Sequence, residues 1–249
     1  MIQDSVTNFQ KTIQNMKIYK PHEKAKGMSL RVIKPLVATI EKLDKATIDK
    51  SRLVKASRIA NEQSFKAAQN YLNENQLDFT IDQELSTRES LVLYNENQVI
   101  IAYRGTKFPN VKDLYTDFLI WQGHESRSNQ YNAAKEQIVK ATSKHGQVDE
   151  FLGYSLGGNM AINMGNLHNI PATTFNPFLG KSIYNGSPPK ETTVRHKVFR
   201  TTDDFATLGL AMMTNKNHNL DVESILPHKD TINVVEAHEL ENFTELGLR

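Results

Sequence analysis

Apolar residues change their spacing near residue 77, and that change divides the chain. Before it the spacing is helical. Phe9, Ile13 and Met16 stand at i, i+4 and i+7, one stripe of a helix. Val32, Ile33, Leu36, Val37, Ile40 and Leu43 share a broad face around and after Pro35, a residue suited to an early helical position. From Lys45 to Asn75 there is neither Pro nor Gly, and Ala56, Ile59, Ala60, Ala67, Ala68, Tyr71 and Leu72 keep a mostly helical pattern. No heptad persists over three or four repeats, which argues against a continuous coiled coil.

After residue 77 the pattern shortens. Phe79–Glu84, Ser90–Tyr94 and Val99–Tyr103 read as strands, the last two joined through the hairpin turn Asn95-Glu96-Asn97. Asn129–His145 reads as a helix and Val148–Leu152 as a strand. Gly153–Gly158 reads as a sharp turn and Asn159–Leu167 as another helix. Ala172–Phe175 and Lys197–Arg200 are further short strands, whereas Asn215–Asp230 has little periodicity and reads as a loop excursion. Strands alternating with helices predict an α/β fold, a mostly parallel sheet with helices on both faces, preceded by an N-terminal helical segment.

Composition narrows the classes. A chain of 249 residues can bury roughly 70% of its unfolded surface, so it needs no staple. With no cysteine there is no disulfide, no thiolate metal site and no cysteine nucleophile. No run approaches the roughly 18 apolar residues of a membrane span, and MIQDSVTNFQKTIQNMK lacks the apolar core of a signal peptide. The expectation is a soluble chain, cytoplasmic rather than secreted. The net charge of +2 hides an asymmetry. Residues 1–60 carry 13 Lys and Arg against 5 Asp and Glu, a net of +8, and the remainder is net acidic at −6. Such a segment is first a set of solvated lysine faces, and second a candidate for peripheral contact with an anionic membrane surface. No motif supports nucleic-acid binding.

The candidate chemistry lies in Gly153-Tyr154-Ser155-Leu156-Gly157, a G-x-S-x-G pattern between a strand and a helix. A nucleophilic serine must stand on a tight, strained turn, and glycines two positions away on either side remove Cβ atoms that would collide there. The following helix aims backbone N–H groups at developing negative charge. One donor of an oxyanion hole is then the N–H of Leu156. A serine hydroxyl also needs a base, and the base needs an acid to orient it. In chain order the acid comes next and the histidine last. The histidines after Ser155 are His168, His196, His218, His228 and His238. His168 lies in or just after the following helix, and His196 precedes the acid candidates. For the acid, the strand ending Val198-Phe199-Arg200-Thr201-Thr202 leads to Asp203 and Asp204; Glu191 and Asp221 lack motif support.

Further segments carry a resemblance. Val99-Ile100-Ile101-Ala102-Tyr103-Arg104-Gly105-Thr106 resembles the strand and "F-R-G-T/S" turn of the class 3 lipases, and Gly153-Tyr154-Ser155-Leu156-Gly157-Gly158 resembles their "G-H-S-L-G-G". Asp113-Leu114-Tyr115-Thr116-Asp117-Phe118 is similar to their "W-x-x-D-L" and Thr174-Phe175-Asn176-Pro177-Phe178 to their "T-F-G-x-P". The resemblance spans about Leu77 to Phe243. It divides the chain into a basic helical segment, 1–76, and an α/β-hydrolase catalytic domain, 77–249. It implies Asp204 over Asp203 as the acid, His238 over its main competitor His228 as the base, and Thr106 as the second oxyanion donor. It further implies a lid over Lys107–Ile120, a lipid or fatty-acyl ester substrate, and no cofactor or metal. General carboxylesterase, phospholipase and acyltransferase activities share this machinery, and a binding protein could keep the fold alone. Asp117 is expected to anchor the structure as a buried acid near Arg104. Tyr154 stands where the family has histidine, and Asn176 where it has glycine.

Overall fold

The computed structural model describes residues 43–105, 129–179, 193–201, 219–225 and 239–244. Five helices fall in these stretches: α1 (Lys45–Glu62), α2 (Phe65–Glu74), α3 (Asn129–His145), α4 (Leu156–His168) and the single turn α5 (Glu241–Thr244). The strands are β1 (Thr80–Ile81), β2 (Ser90–Tyr94), β3 (Val99–Tyr103), β4 (Glu150–Tyr154), β5 (Ala172–Phe175), β6 (His196–Thr201) and β7 (Leu220–Ile225). They form one seven-stranded sheet in sequence order. The pairs β1–β2 and β2–β3 are antiparallel, and every pair from β3 to β7 is parallel. The protein has an α/β fold built on a mostly parallel sheet.

Local chemistry sets the boundaries. Asp44 caps α1, its Oδ1 accepting from the Thr47 N–H at 2.6 Å, and Ser64 caps α2 by accepting from Ala67 at 3.1 Å. Those caps split the long helical stretch read from the sequence. β1 is shorter than the six-residue strand expected, because the Asp82 carboxylate accepts from the N–H groups of Glu84 and Leu85 and turns the chain away. The hairpin at Asn95 forms as expected, with the Asn95 side chain accepting from Asn97 and Gln98. The loop expected over Asn215–Asp230 contains β7 instead. Among the described residues β7 is the last strand of the sheet; its alternation, Leu220-Asp221-Val222-Glu223, is only four residues long and follows the polar run Asn215–Asn219, so it stands out poorly in the sequence.

Period-two alternation sorts the sheet's residues into two cores. Val92, Ile101, Phe151 and Val198 point to one face, where they pack with Ile138 and Ala141 of α3 and Met160 and Met164 of α4. Leu93, Ile100, Leu152, Phe175 and Phe199 point to the other, against Leu53 and Val54 of α1, Leu72 of α2, and Phe243 of α5. The topology explains the division. Right-handed crossovers that always advance in one direction lay their helices on the same face, and α3 and α4 are the β3–β4 and β4–β5 crossovers. The opposite face is covered by α1, α2 and α5. The leading segment's helices therefore share a core with the sheet. None of the described helices is long and apolar enough to cross a membrane.

Candidate active site

In open α/β sheets, ligands gather at the rim where the parallel strands end. Here that carboxyl-end rim carries Tyr103, Tyr154, Phe175, Thr201 and Ile225. Ser155 follows Tyr154 on β4, the middle strand, and sits immediately before the first residue of α4. Its backbone adopts φ 53° and ψ −121°, a region L-residues avoid, and its side chain is half-buried. The strained turn is held from several sides. Ser155 N–H donates to the Phe175 carbonyl at 3.2 Å, and its own carbonyl accepts from Gly158 at 3.0 Å, Asn159 at 3.3 Å and Phe178 at 2.9 Å.

The flanking glycines are required by space. A Cβ on Gly153 would lie 2.2 Å from the Gly157 carbonyl oxygen, and one on Gly157 would lie 2.2 Å from the Arg104 carbonyl oxygen. This close approach brings the end of β3 against the turn. A Cβ on Gly105 would meet the Tyr154 ring at 2.6 Å and the Ser155 Cβ at 3.1 Å. The Arg104-Gly105 turn and the Ser155 turn are thus in direct contact. Leu156, as the first residue of α4, has an N–H among the four that no carbonyl of its own helix can reach.

A cavity of about 210 Å³ opens beside this contact, on the α3–α4 face. Gly105, Leu156, Gly157 and Met160 form one wall, Ala133, Ala134 and Gln137 of α3 another, and Thr87, Glu89 and Ser90 a third. Tyr103 contributes its ring; burial pushes its phenol well above the usual range, and its hydroxyl has no hydrogen-bond partner among the described residues. Arg104 organises the wall. Its guanidinium donates to the Gly105 carbonyl at 2.6 Å and the Arg88 carbonyl at 3.0 Å, and pairs with Glu89. Asp117, the acid expected near Arg104, lies outside the described residues; among the described ones Glu89 is an acid that pairs with it.

Of the other residues singled out, Thr106, Asp203, Asp204, His218, His228, His238 and Glu191 lie outside the described residues, as does Lys107–Ile120. The ends of the neighbouring described segments are well defined. β6 finishes at Thr201 on the same rim as Ser155, two strands across. Asn176, at φ 42°, joins β5 to β6 there: its N–H donates to the Phe199 carbonyl at 2.8 Å, and its Oδ1 accepts from the Thr201 N–H at 2.8 Å. Asparagine tolerates the left-handed backbone and adds a side-chain bond that glycine lacks.

The structure also removes candidates. His168 closes α4, about 20 Å of helix from Ser155. His196 begins β6, at the opposite rim, as does Asp221, which pairs with Arg195. His196 Nδ1 accepts from the Ala172 N–H at 3.1 Å, so Nε2 carries the proton toward Asn166 Oδ1 at 3.0 Å. Burial pushes its pKa down to about 4, which suits a structural, neutral ring. His145 stacks on Tyr94 and meets Asp82 at 2.6 Å, again away from the carboxyl-end rim. Among the described residues, no group of three or more His, Cys, Asp or Glu could hold a metal ion.

No curated protein matches the chain. Residues 60–178 match the model of a phospholipase-like family, described as the Tle-like phospholipase domain. The matched stretch runs from the end of α1 through β5, so it contains the Arg104-Gly105 turn, the cavity walls and the Ser155 turn. Over that stretch the chain is similar to phospholipase-like domains, which supports hydrolysis of lipid esters as its type of function.

Proposed function

We propose that the protein is a serine hydrolase of the class 3 lipase kind within the α/β-hydrolases, cleaving lipid or fatty-acyl esters with Ser155 as nucleophile. The observation that carries this reading is the backbone of Ser155, strained at φ 53° between β4 and α4 and packed against Gly105. Strain of this kind costs about 1–3 kcal/mol, and a chain keeps it where a side chain must be presented.

The reaction has two halves. His238, oriented by Asp204, takes the proton of the Ser155 hydroxyl, which attacks the ester carbonyl. The resulting oxyanion is met by the N–H groups of Leu156 and Thr106. His238 passes its proton to the leaving alcohol, and water then cleaves the acyl-enzyme by the same route. Support for the acid is that β6 ends three residues before Asp204, on the rim that holds Ser155. Support for the base is that Glu239 and Leu240, just after His238, begin a turn docked on the same core as Tyr154. The cavity walls contributed by Leu156 and Gly105 offer a place for part of the ester beside the attacking oxygen. The basic leading residues would hold the enzyme at anionic lipid.

A fluorophosphonate probe tests the assignment. The wild-type protein is expected to be labelled and Ser155→Ala unlabelled, with kcat on phospholipid or triacylglycerol reduced by at least about 10⁴-fold. Equal labelling of both proteins would reject Ser155 as the nucleophile. Turnover of short soluble esters alone would replace the lipid substrate with a small carboxylic ester.

A further inference from the structure

All but the last three residues of α1 precede the stretch similar to phospholipase-like domains, yet α1 touches both Tyr154, just before Ser155, and α5, just after His238 in the chain. Resting on that reading, we propose that α1 is a positioning element: Arg58 and its partner Glu241 hold α5, the turn that follows His238 in the chain, in register with the Ser155 turn.

One stripe of α1 follows β4. Lys50 meets Glu150, the first residue of β4, at 2.8 Å, and eight residues on Arg58 stands over the ring of Tyr154, the last residue of β4, at 5.8 Å. Eight helical residues rise about 12 Å, and four strand intervals extend about 13 Å, so helix and strand match in length. The Tyr154 ring in turn fills the space that Gly105 leaves open, beside the Ser155 Cβ. Arg58 therefore presses on the residue that locks the two turns together.

The neighbouring stripe of α1 holds α5. The Ser51 hydroxyl donates to the Phe243 carbonyl at 3.1 Å, and Lys55 and Arg58 reach the Glu241 carboxylate at 3.6 and 3.5 Å. Phe243 is fully buried, its ring 5.1 Å from that of Phe175 on the strand beside β4. Leu240, two residues after His238, is fully buried in the same core. Arg58 engages both attachments, by its face over Tyr154 and by its charge toward Glu241. An exposed pair of this length adds little to stability, so its effect belongs to geometry. A reacting group displaced by a fraction of an ångström loses much of its rate, because a 1 Å misplacement can cost about a hundred-fold.

The test uses the full chain. Arg58→Met and Glu241→Gln are expected to lower kcat on a soluble p-nitrophenyl ester, and the fluorophosphonate labelling rate, by about three- to ten-fold. KM and the melting temperature should stay close to wild type. The double variant should lose no more than the worse single one, and Arg58→Lys, which keeps a cation toward Tyr154 and Glu241, should retain part of the rate that Arg58→Met loses. Unchanged kcat in both single variants, or losses that simply add, would overturn the proposal. So would a fall in melting temperature with kcat intact. Ser155→Ala run alongside separates the two ideas: a labelled Ser155→Ala rejects the hydrolase reading, whereas an unlabelled one beside fully active Arg58 and Glu241 variants rejects only the role of α1.

Discussion

The two rims of the sheet use similar residues to opposite ends. At the amino-end rim, polar side chains close on one another. Glu150 takes Lys50 and the Thr173 hydroxyl, Asn219 bridges Asn166 and the Val194 carbonyl, and His196 uses both ring nitrogens. At the carboxyl-end rim, the backbone is distorted at Ser155 and Asn176, and glycines allow chain to press on chain. A histidine, a serine or an aspartate means structure at one rim and candidate chemistry at the other. Residue type alone does not separate them; the end of the strand does.

The sharpest break in that contrast comes from two glycines. Gly157→Ala drives a methyl group into the Arg104 and Tyr103 carbonyl oxygens, so backbone must move. It is expected to cost about 3 kcal/mol and about a hundred-fold in probe labelling. Gly146, which follows α3, has open space around it and only its left-handed φ of 88° to lose. Gly146→Ala should cost about 1 kcal/mol and leave labelling unchanged. Urea melts and labelling time courses check both, and equal losses would erase the distinction between the rims.

His196 sharpens the other side. Its folded pKa of about 4 lies below the ordinary 6.5, so the folded state favours the neutral ring. Protonating Nδ1 would set it against the Ala172 N–H. The stabilisation is complete above pH 6.5 and is lost as pH falls from 6.5 through 4, by about 3 kcal/mol. In His196→Asn, stability measured by urea unfolding across that range should fall less steeply than in wild type. Parallel curves would remove His196 from the account of the rim.

The smallest expected effect runs the other way. Ser155→Gly relaxes the φ 53° backbone and should raise stability by about 1 kcal/mol, after the extra entropy of an unfolded glycine is subtracted. A loss of stability in that variant would mean that the turn stores no strain.

Legibility in the sequence followed the same physics. β2 to β5, α3 and the Ser155 turn were readable because their burial is regular or their spacing dictated by contact, as with Gly153 and Gly157. β7 was not, since its alternation runs only from Leu220 to Glu223 and sits beside the polar run Asn215–Asn219. Glu89 was missed as a partner of Arg104 because 15 residues separate them and the β2–β3 hairpin brings them together. The place of α1 was equally hidden. Its basic composition suggested a solvated or membrane-facing segment, while Leu53, Val54 and Ala56 were reserved for the sheet.

The acidic character of β7 has a consequence for how copies of the protein meet. Among the described residues β7 is outermost; such a strand offers its backbone to any passing strand, and the charged groups along it, Glu223 and the Asp221–Arg195 pair, resist burial against a second copy. Bringing that border against a second copy would strip water from these charged groups, so charge guards it against pairing.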